Sequence, residues 1–302
     1  MATTIKLQDT SHVIGRRSRL EDYWLTNGFT DFYKNFAGGR KVPVAAIKNV
    51  HQLEDFKRHF QLNAIGFGNW VTQEDRYNYV TALFLAFYDI DKILQFKSNI
   101  GLNGKVGISF GARGHGGALA HFEPSTYIIN LTRYVDNPDI DKKQRFIYSG
   151  GAGCVAHEYG HALDYYFGNY IEPDMYNASL SGGDSTRMTL EQRGSFRQAM
   201  DDVMNAIIWK EIGKTPSAYY KRLKENANTD YYLSRCEIFA RAFEKYIQYK
   251  LHKKGIKNTF LTTSKYIEEI YLTDKEMYYV AKHMDELIIG MRKVVNYVGK
   301  VK

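Results

Sequence analysis

The sequence predicts an α+β protein, mainly helical, with a small mixed or antiparallel sheet set next to one histidine-bearing helix. Three observations carry this. Apolar residues recur at three- and four-residue spacing over much of the chain, short β-rich runs cluster between residues 105 and 131, and the stretch "CVAHEYGHALDYYFG" that follows returns to helical periodicity. With 302 residues and 44% hydrophobic content, the chain can fill one large core or two small ones. Pattern alone divides it into an irregular, partly helical N-terminal extension over residues 1–60 and a main domain over 61–302.

Taken in order, "IKNVHQLEDFKRHF" spaces Ile47, Val50, Leu53, Phe56 and Phe60 as a helix would. "TQEDRYNYVTALFLAFYDIDKILQF" predicts a long apolar helix from about Thr72, with Asp75 as its capping partner, and both helices read as a front layer. "KVGISF", "GALAHF" and "TYIINL" predict strands separated by the turns "GARGHGG" and "EPS". "YIEPDMYNASLSGGDSTR" predicts a loop. Helices are then expected near 189–212, 216–226, 234–254 and 274–296. The last presents Met277, Val280, Met284, Leu287, Met291 and Val294 as one apolar stripe, and Thr273 with Glu276 fits a capping box.

Bulk properties narrow the chemistry. Two cysteines, Cys154 and Cys236, are too few for a disulfide framework or a thiolate zinc site, which leaves histidine and carboxylate as metal ligands; two free thiols are expected. No window approaches the length of a membrane-spanning helix and the first residues lack a signal-peptide core, so a cytoplasmic protein without membrane contact is expected. The formal charge is +8, and the basic helical region 250–302 holds 11 Lys/Arg against 6 Asp/Glu. Such a region can attract nucleic acid, although solvated lysines on helix faces produce the same excess.

On a helix, His157 and His161 lie about 40° apart on one face, one turn from each other, which is the separation that lets two imidazoles hold one tetrahedral Zn²⁺. Glu158 is rotated off that axis, where it reaches a zinc-bound water as general base. One zinc per chain and a protein or peptide substrate follow. Gly160 inside the helix implies close packing, expected against a strand.

A third histidine on this segment is not available, because Asp164 and Phe167 occupy the positions where an extended motif would continue. Downstream, "DYYLSRCEIFARAFEKYIQYKL" places Glu237, Ala240, Arg241 and Glu244 on one helical face. Glu237 is the candidate ligand, with Glu244 and Asp184 in reserve, and small Ala240 would let this helix approach the histidine helix. Two other patterns compete for Glu237: a capping box with Ser234, and an exposed helix pair with Arg241. Asp164 could accept from the ring of His161 or be a plain surface carboxylate. Tyr231 or Tyr232 could donate to an oxyanion. Arg113, His115 and His121, in and after the glycine-rich turn, are candidates for substrate contact along an edge strand.

"GARGHGGALAHFEPSTYIINL", "GAGCVAHEYGHALDYYFG" and "SRCEIFARAFEKY" together resemble the first type of large polyvalent protein-associated domain, over roughly residues 60–250. The resemblance implies a zincin-like metallopeptidase fold in a phage or mobile-element protein. "HEYGHALDYYFG" and "EIFARAF" are also similar to the two zinc segments of the anthrax lethal factor catalytic domain, a gluzincin. That similarity implies His157, His161 and Glu237 as ligands, Glu158 as base and a tyrosine ahead of Glu237 as oxyanion donor. Arg241 departs from it, since an acidic residue stands at the matching helix position, and the tyrosine spacing leaves Tyr231 and Tyr232 both open. Delivery into a host cell is compatible with it. The expectation is a zinc-dependent endopeptidase; the alternative is a non-catalytic, antirestriction-like scaffold that binds nucleic acid through its basic surface, and a third reading is zinc as a staple between helices.

Overall fold

The computed structural model describes residues 31–42, 53–69, 71, 73–111, 119–131, 151–183, 195–227, 229–263 and 266–301. A 3₁₀ turn at Asp31–Phe36 precedes α1 (Leu53–His59), β1 (Ile65–Phe67), α2 (Gln73–Leu94), β2 (Gly107–Phe110), β3 (Ala120–Glu123) and β4 (Ile128–Leu131). The histidine helix is α3 (Val155–Ile171). Then come α4 (Ser195–Ile208), β5 (Trp209–Glu211), β6 (Thr215–Pro216), α5 (Ala218–Asn226), a 3₁₀ turn at Asp230–Leu233, α6 (Arg235–His252) and α7 (Asp274–Val301). Thus the architecture is α+β, as expected.

The larger sheet is mixed. Its order is β1-β2-β4-β3, with β1, β2 and β4 parallel and β3 antiparallel to β4 through the expected turn at 124–127. β2 and β4 are wholly buried, whereas β3 is half-buried at the edge. The histidine helix α3 lies against β3 and β4 on one side and against α6 on the other. That sandwich is what positions the site.

α2 is the centre of the core rather than a front layer. Ala82, Leu83, Phe84, Leu85, Ala86 and Phe87 are all buried, and six consecutive positions go more than once round a helix, so apolar residues cover its circumference there, as a helix surrounded by protein requires. Phe36, Phe56 and Phe60 join the same core, so the described parts of the first sixty residues pack into the main body. Asp89 on α2 is completely buried and is held by Arg40, Asn258 Nδ2 (2.9 Å) and Lys92 Nζ (3.1 Å), which satisfies its charge. Thr72 and the stretch 43–52 lie outside the described residues.

The helix expected over 189–212 ends at Ile208, because Gly213 at φ +72° and Pro216 turn the chain into the β5–β6 hairpin. Ser217 then accepts from the Tyr220 N–H (3.0 Å) as N-cap of α5, and its own hydroxyl donates to Ile207 O (2.6 Å). On α7, Met277, Val280, Met284, Leu287 and Met291 are buried as the stripe requires, while Val294 falls at its margin and Val295 takes the buried place.

The capping box of α7 forms. Thr273 Oγ accepts from the Glu276 N–H (3.2 Å), and Glu276 Oε2 accepts from the Thr273 N–H (2.9 Å). Glu276 also receives both terminal nitrogens of Arg222 from α5, at 2.7 and 2.8 Å, and these bonds outweigh burial and hold its pKa below the usual range. Thr273→Ala is therefore expected to cost about 1 kcal/mol. A shift in the denaturant midpoint checks it; no shift would mean the cap bonds are not formed in solution. Among the described residues, no helix is long and apolar enough to cross a membrane.

Candidate metal centre

Chain directions and close packing bring two distant segments together. α3 and α6 touch along their length, and the reason is local. A Cβ on Gly160 would meet Ala240 Cα and Phe243 Cδ1 at 3.2 Å, so a glycine on one helix faces an alanine on the other. The close approach is thus to a helix, not to a strand. Loop residues after α6 hold the start of α3, where the Gly153 N–H donates to Phe260 O and the Ala156 N–H to Leu261 O, both at 2.9 Å. Gly153 has φ +88°, which a residue with a side chain rarely adopts.

Across this contact His157 Nε2 lies 3.5 Å from Glu237 Oε2, and His161 Nε2 lies 3.1 Å from Glu237 Oε1. The donor atoms of the three residues all fall within 4.8 Å of one another. A tetrahedral ion with bonds of about 2.0–2.1 Å needs its donors about 3.3 Å apart, and each imidazole is near that distance from one oxygen of the Glu237 carboxylate, so a small turn of the side chains would seat an ion. Two imidazole nitrogens and a carboxylate oxygen are a donor set that suits zinc.

Electrostatics point the same way. Glu158, Glu237 and Glu244 are 6%, 4% and 1% exposed, and the guanidinium among them belongs to Arg241, 3% exposed. Three acids and one guanidinium are thus gathered out of solvent beside two imidazoles, an acid-rich cluster that a divalent cation would stabilise, and burial raises the pKa of Glu244 despite its hydrogen bonds. Burial alone would raise the Glu237 pKa, but its bonds to His157 and His161 prevail and hold it well below the carboxylate range. Burial likewise disfavours charge on His157, yet the Glu237 bond and the charges of Glu158, Glu237 and Glu244 raise its pKa.

The competing patterns for Glu237 fall away on geometry. Ser234 precedes α6 without capping it: its hydroxyl donates to Tyr231 O (2.8 Å), so the box with Glu237 does not form. Arg241 is buried rather than an exposed partner. It donates through Nη1 to Glu237 Oε2 (3.2 Å) and through Nη2 to the Tyr232 carbonyl, and its guanidinium sits over the Tyr232 ring.

Arg241 thus holds the carbonyl and ring face of Tyr232, whereas Tyr231 is 59% exposed. Partial burial of its hydroxyl end first, then the neighbouring carboxylates of Glu237 and Glu158, raise the pKa of Tyr231. Asp164 is wholly buried, not a surface group. Its carboxylate accepts from the N–H and Oγ–H of Ser181, both at 2.6 Å, and so ties the loop after α3 rather than the ring of His161. Burial raises its pKa despite those bonds. His121 stands on β3 with Nε2 3.4 Å from Glu123 Oε1. Arg113, His115 and Asp184 lie outside the described residues.

Glu244 stands outside the group formed by the His157, His161 and Glu237 donor atoms, on the other side of His157, with Oε2 3.8 Å from Nδ1. Cys154 and Cys236 are free thiols. In the basic C-terminal region, Lys250 pairs with Asp285 (2.8 Å) and Arg292 donates to Leu94 O (2.8 Å), so part of that charge is turned inward.

Residues 223–294 match the family model of large polyvalent protein-associated domain 1. The matched stretch carries Glu237, Arg241 and Glu244, the carboxylate half of the site. It is shifted from the expected span of 60–250, and the HEYGH segment lies before it. No curated protein and no solved structure matches the chain.

Proposed function

We propose that this chain is a zinc-dependent endopeptidase with a zincin-like arrangement, encoded by a phage or other mobile element. The observation that carries the reading is the convergence of His157, His161 and Glu237 donor atoms within 4.8 Å, with buried Glu158 one residue from the first ligand. The match to a large polyvalent protein-associated domain supports the mobile-element part.

His157, His161 and Glu237 would hold the zinc ion, which when bound would supply the Lewis acidity that polarises a peptide carbonyl and acidifies water. Glu158 takes a proton from the attacking water and returns it to the leaving amine, the work of a general base and then acid. Tyr231 stays protonated and exposed at the rim, where its hydroxyl donates to the developing oxyanion. Arg241 holds Glu237 Oε2 and so fixes the carboxylate against rotation.

Glu158→Gln separates chemistry from metal binding. The variant is expected to keep one zinc per chain by elemental analysis while hydrolysis of an unstructured protein such as casein falls at least about 100-fold. Turnover undiminished in this variant would remove Glu158 from the reaction. A wild-type protein that takes up zinc but cleaves none of a broad peptide library would leave the ion as a staple between α3 and α6.

A further inference from the structure

Glu244 is buried to 1% and has no part in the chemistry just described. Such a carboxylate needs partners, and here they are fixed ones: Oε1 accepts from the Thr263 N–H (3.0 Å) and Tyr266 O–H (3.2 Å), and Oε2 accepts from Tyr271 O–H (2.8 Å). The two phenol rings pack edge to face, with centroids 4.7 Å apart, and Lys245 lies over Tyr266 at 4.4 Å. The loop that supplies Thr263 also accepts the Gly153 and Ala156 N–H groups at the start of α3. Glu244 and His157 are therefore fixed in one frame.

Between them the ring of His157 has a carboxylate at each nitrogen: Glu237 at Nε2 (3.5 Å) and Glu244 at Nδ1 (3.8 Å). A neutral imidazole carries its proton on one nitrogen only; with Glu237 and Nε2 both turned to a metal, the proton belongs on Nδ1, where Glu244 is the acceptor that stabilises it. From this geometry we infer that Glu244, clamped by Thr263, Tyr266 and Tyr271, is the positioning residue that keeps the proton of His157 on Nδ1 and turns its Nε2 lone pair toward the metal. The inference rests on the proposed metal centre. It assigns Thr263, Tyr266 and Tyr271, between α6 and α7, a purpose beyond connecting the two helices, because all three serve the orientation of one histidine. At 3.8 Å the Glu244 contact to Nδ1 is electrostatic, so its strength depends on the carboxylate being held in place rather than on a short bond.

The test is the zinc dissociation constant, by competition with a chromogenic chelator, of the wild-type chain, Glu244→Gln and Tyr271→Phe, together with ¹⁵N–¹H spectra of His157 in the zinc-loaded proteins. Glu244→Gln should bind zinc about 10–100-fold more weakly, and Tyr271→Phe, which frees one side of the clamp, should lose less. The zinc-loaded wild type should show a His157 Nδ1–H resonance shifted downfield and slowed in exchange by its acceptor, and Glu244→Gln should lose that shift, a change that a merely structural role for Glu244 would not produce. Affinity in Glu244→Gln within twofold of wild type, or a wild-type spectrum with the proton on Nε2, overturns the inference. Should Glu244→Gln fail to fold, Tyr271→Phe and the wild-type spectrum decide. Wild-type protein that binds no zinc at all would fell the metal centre itself, whereas normal wild-type binding with an unaffected Glu244→Gln would fell only the role of Glu244.

Discussion

Glu237→Gln is expected to abolish stoichiometric zinc binding while leaving the fold intact. The substitution keeps the volume of the side chain and its contact with Arg241, but it removes the charge that binds between the two imidazoles. Two histidines alone make a weak site, and the loss should exceed the roughly 100-fold that residues behind a ligand can cost. Hydrolysis should disappear with the metal. Elemental analysis of gel-filtered protein, with circular dichroism as the control for folding, reads the outcome. A variant that retains one zinc per chain would show that the carboxylate of residue 237 is not a ligand.

The second large effect is on stability. Gly168, near the end of α3, faces the returning loop so closely that an added Cβ would lie 2.3 Å from Ala178 O and 2.6 Å from Ala178 C. Backbone cannot step aside as a flexible side chain can. Gly168→Ala must push the loop away, and with it the bonds of Ser181 to Asp164 and of Arg235 Nε to Ser181 O. The Cys236 N–H bond to Gly183 O (3.0 Å), at the start of the glutamate helix, depends on the same loop. About 3 kcal/mol of destabilisation is expected, at the upper end for overpacking, and a urea titration measures it. Gly160→Ala, where the nearest atoms are 3.2 Å away, should cost distinctly less. Equal stability of Gly168→Ala and wild type would contradict the loop placement.

What could be read from the sequence follows from how local each feature is. The histidine helix was legible because its information lies within five residues: two imidazoles one turn apart and a glutamate between. Glu237 was legible because a helical face carrying Glu237, Ala240, Arg241 and Glu244 narrows the choice of carboxylate, and the alanine explains the close approach. The Thr273 cap was legible for the same reason. Ser234 with Glu237 presents an identical local pattern, yet the cap does not form, since Tyr231 O takes the hydroxyl and the imidazoles take the carboxylate. Tertiary charge outweighs a local bond worth about 1 kcal/mol.

The features that escaped depend on contacts far apart in the chain. Nothing near Glu244 announces that Thr263, Tyr266 and Tyr271 will converge on it, and nothing near Asp164 announces Ser181. α2 was placed at the front because its apolar residues were visible but not what surrounds them. The helix expected to run to residue 212 ends at Ile208, because the pairing of β5 with β6 that takes the chain out of the helix is a contact between strands and not a periodicity.

The proposed centre is most directly examined by anomalous X-ray diffraction at the zinc edge from crystals grown with zinc. A single strong peak bonded to His157 Nε2, His161 Nε2 and a Glu237 oxygen, with one coordination position left to solvent, is the result this account predicts. Zinc-loaded crystals with no peak between these three side chains, or with the peak on other residues, would contradict it.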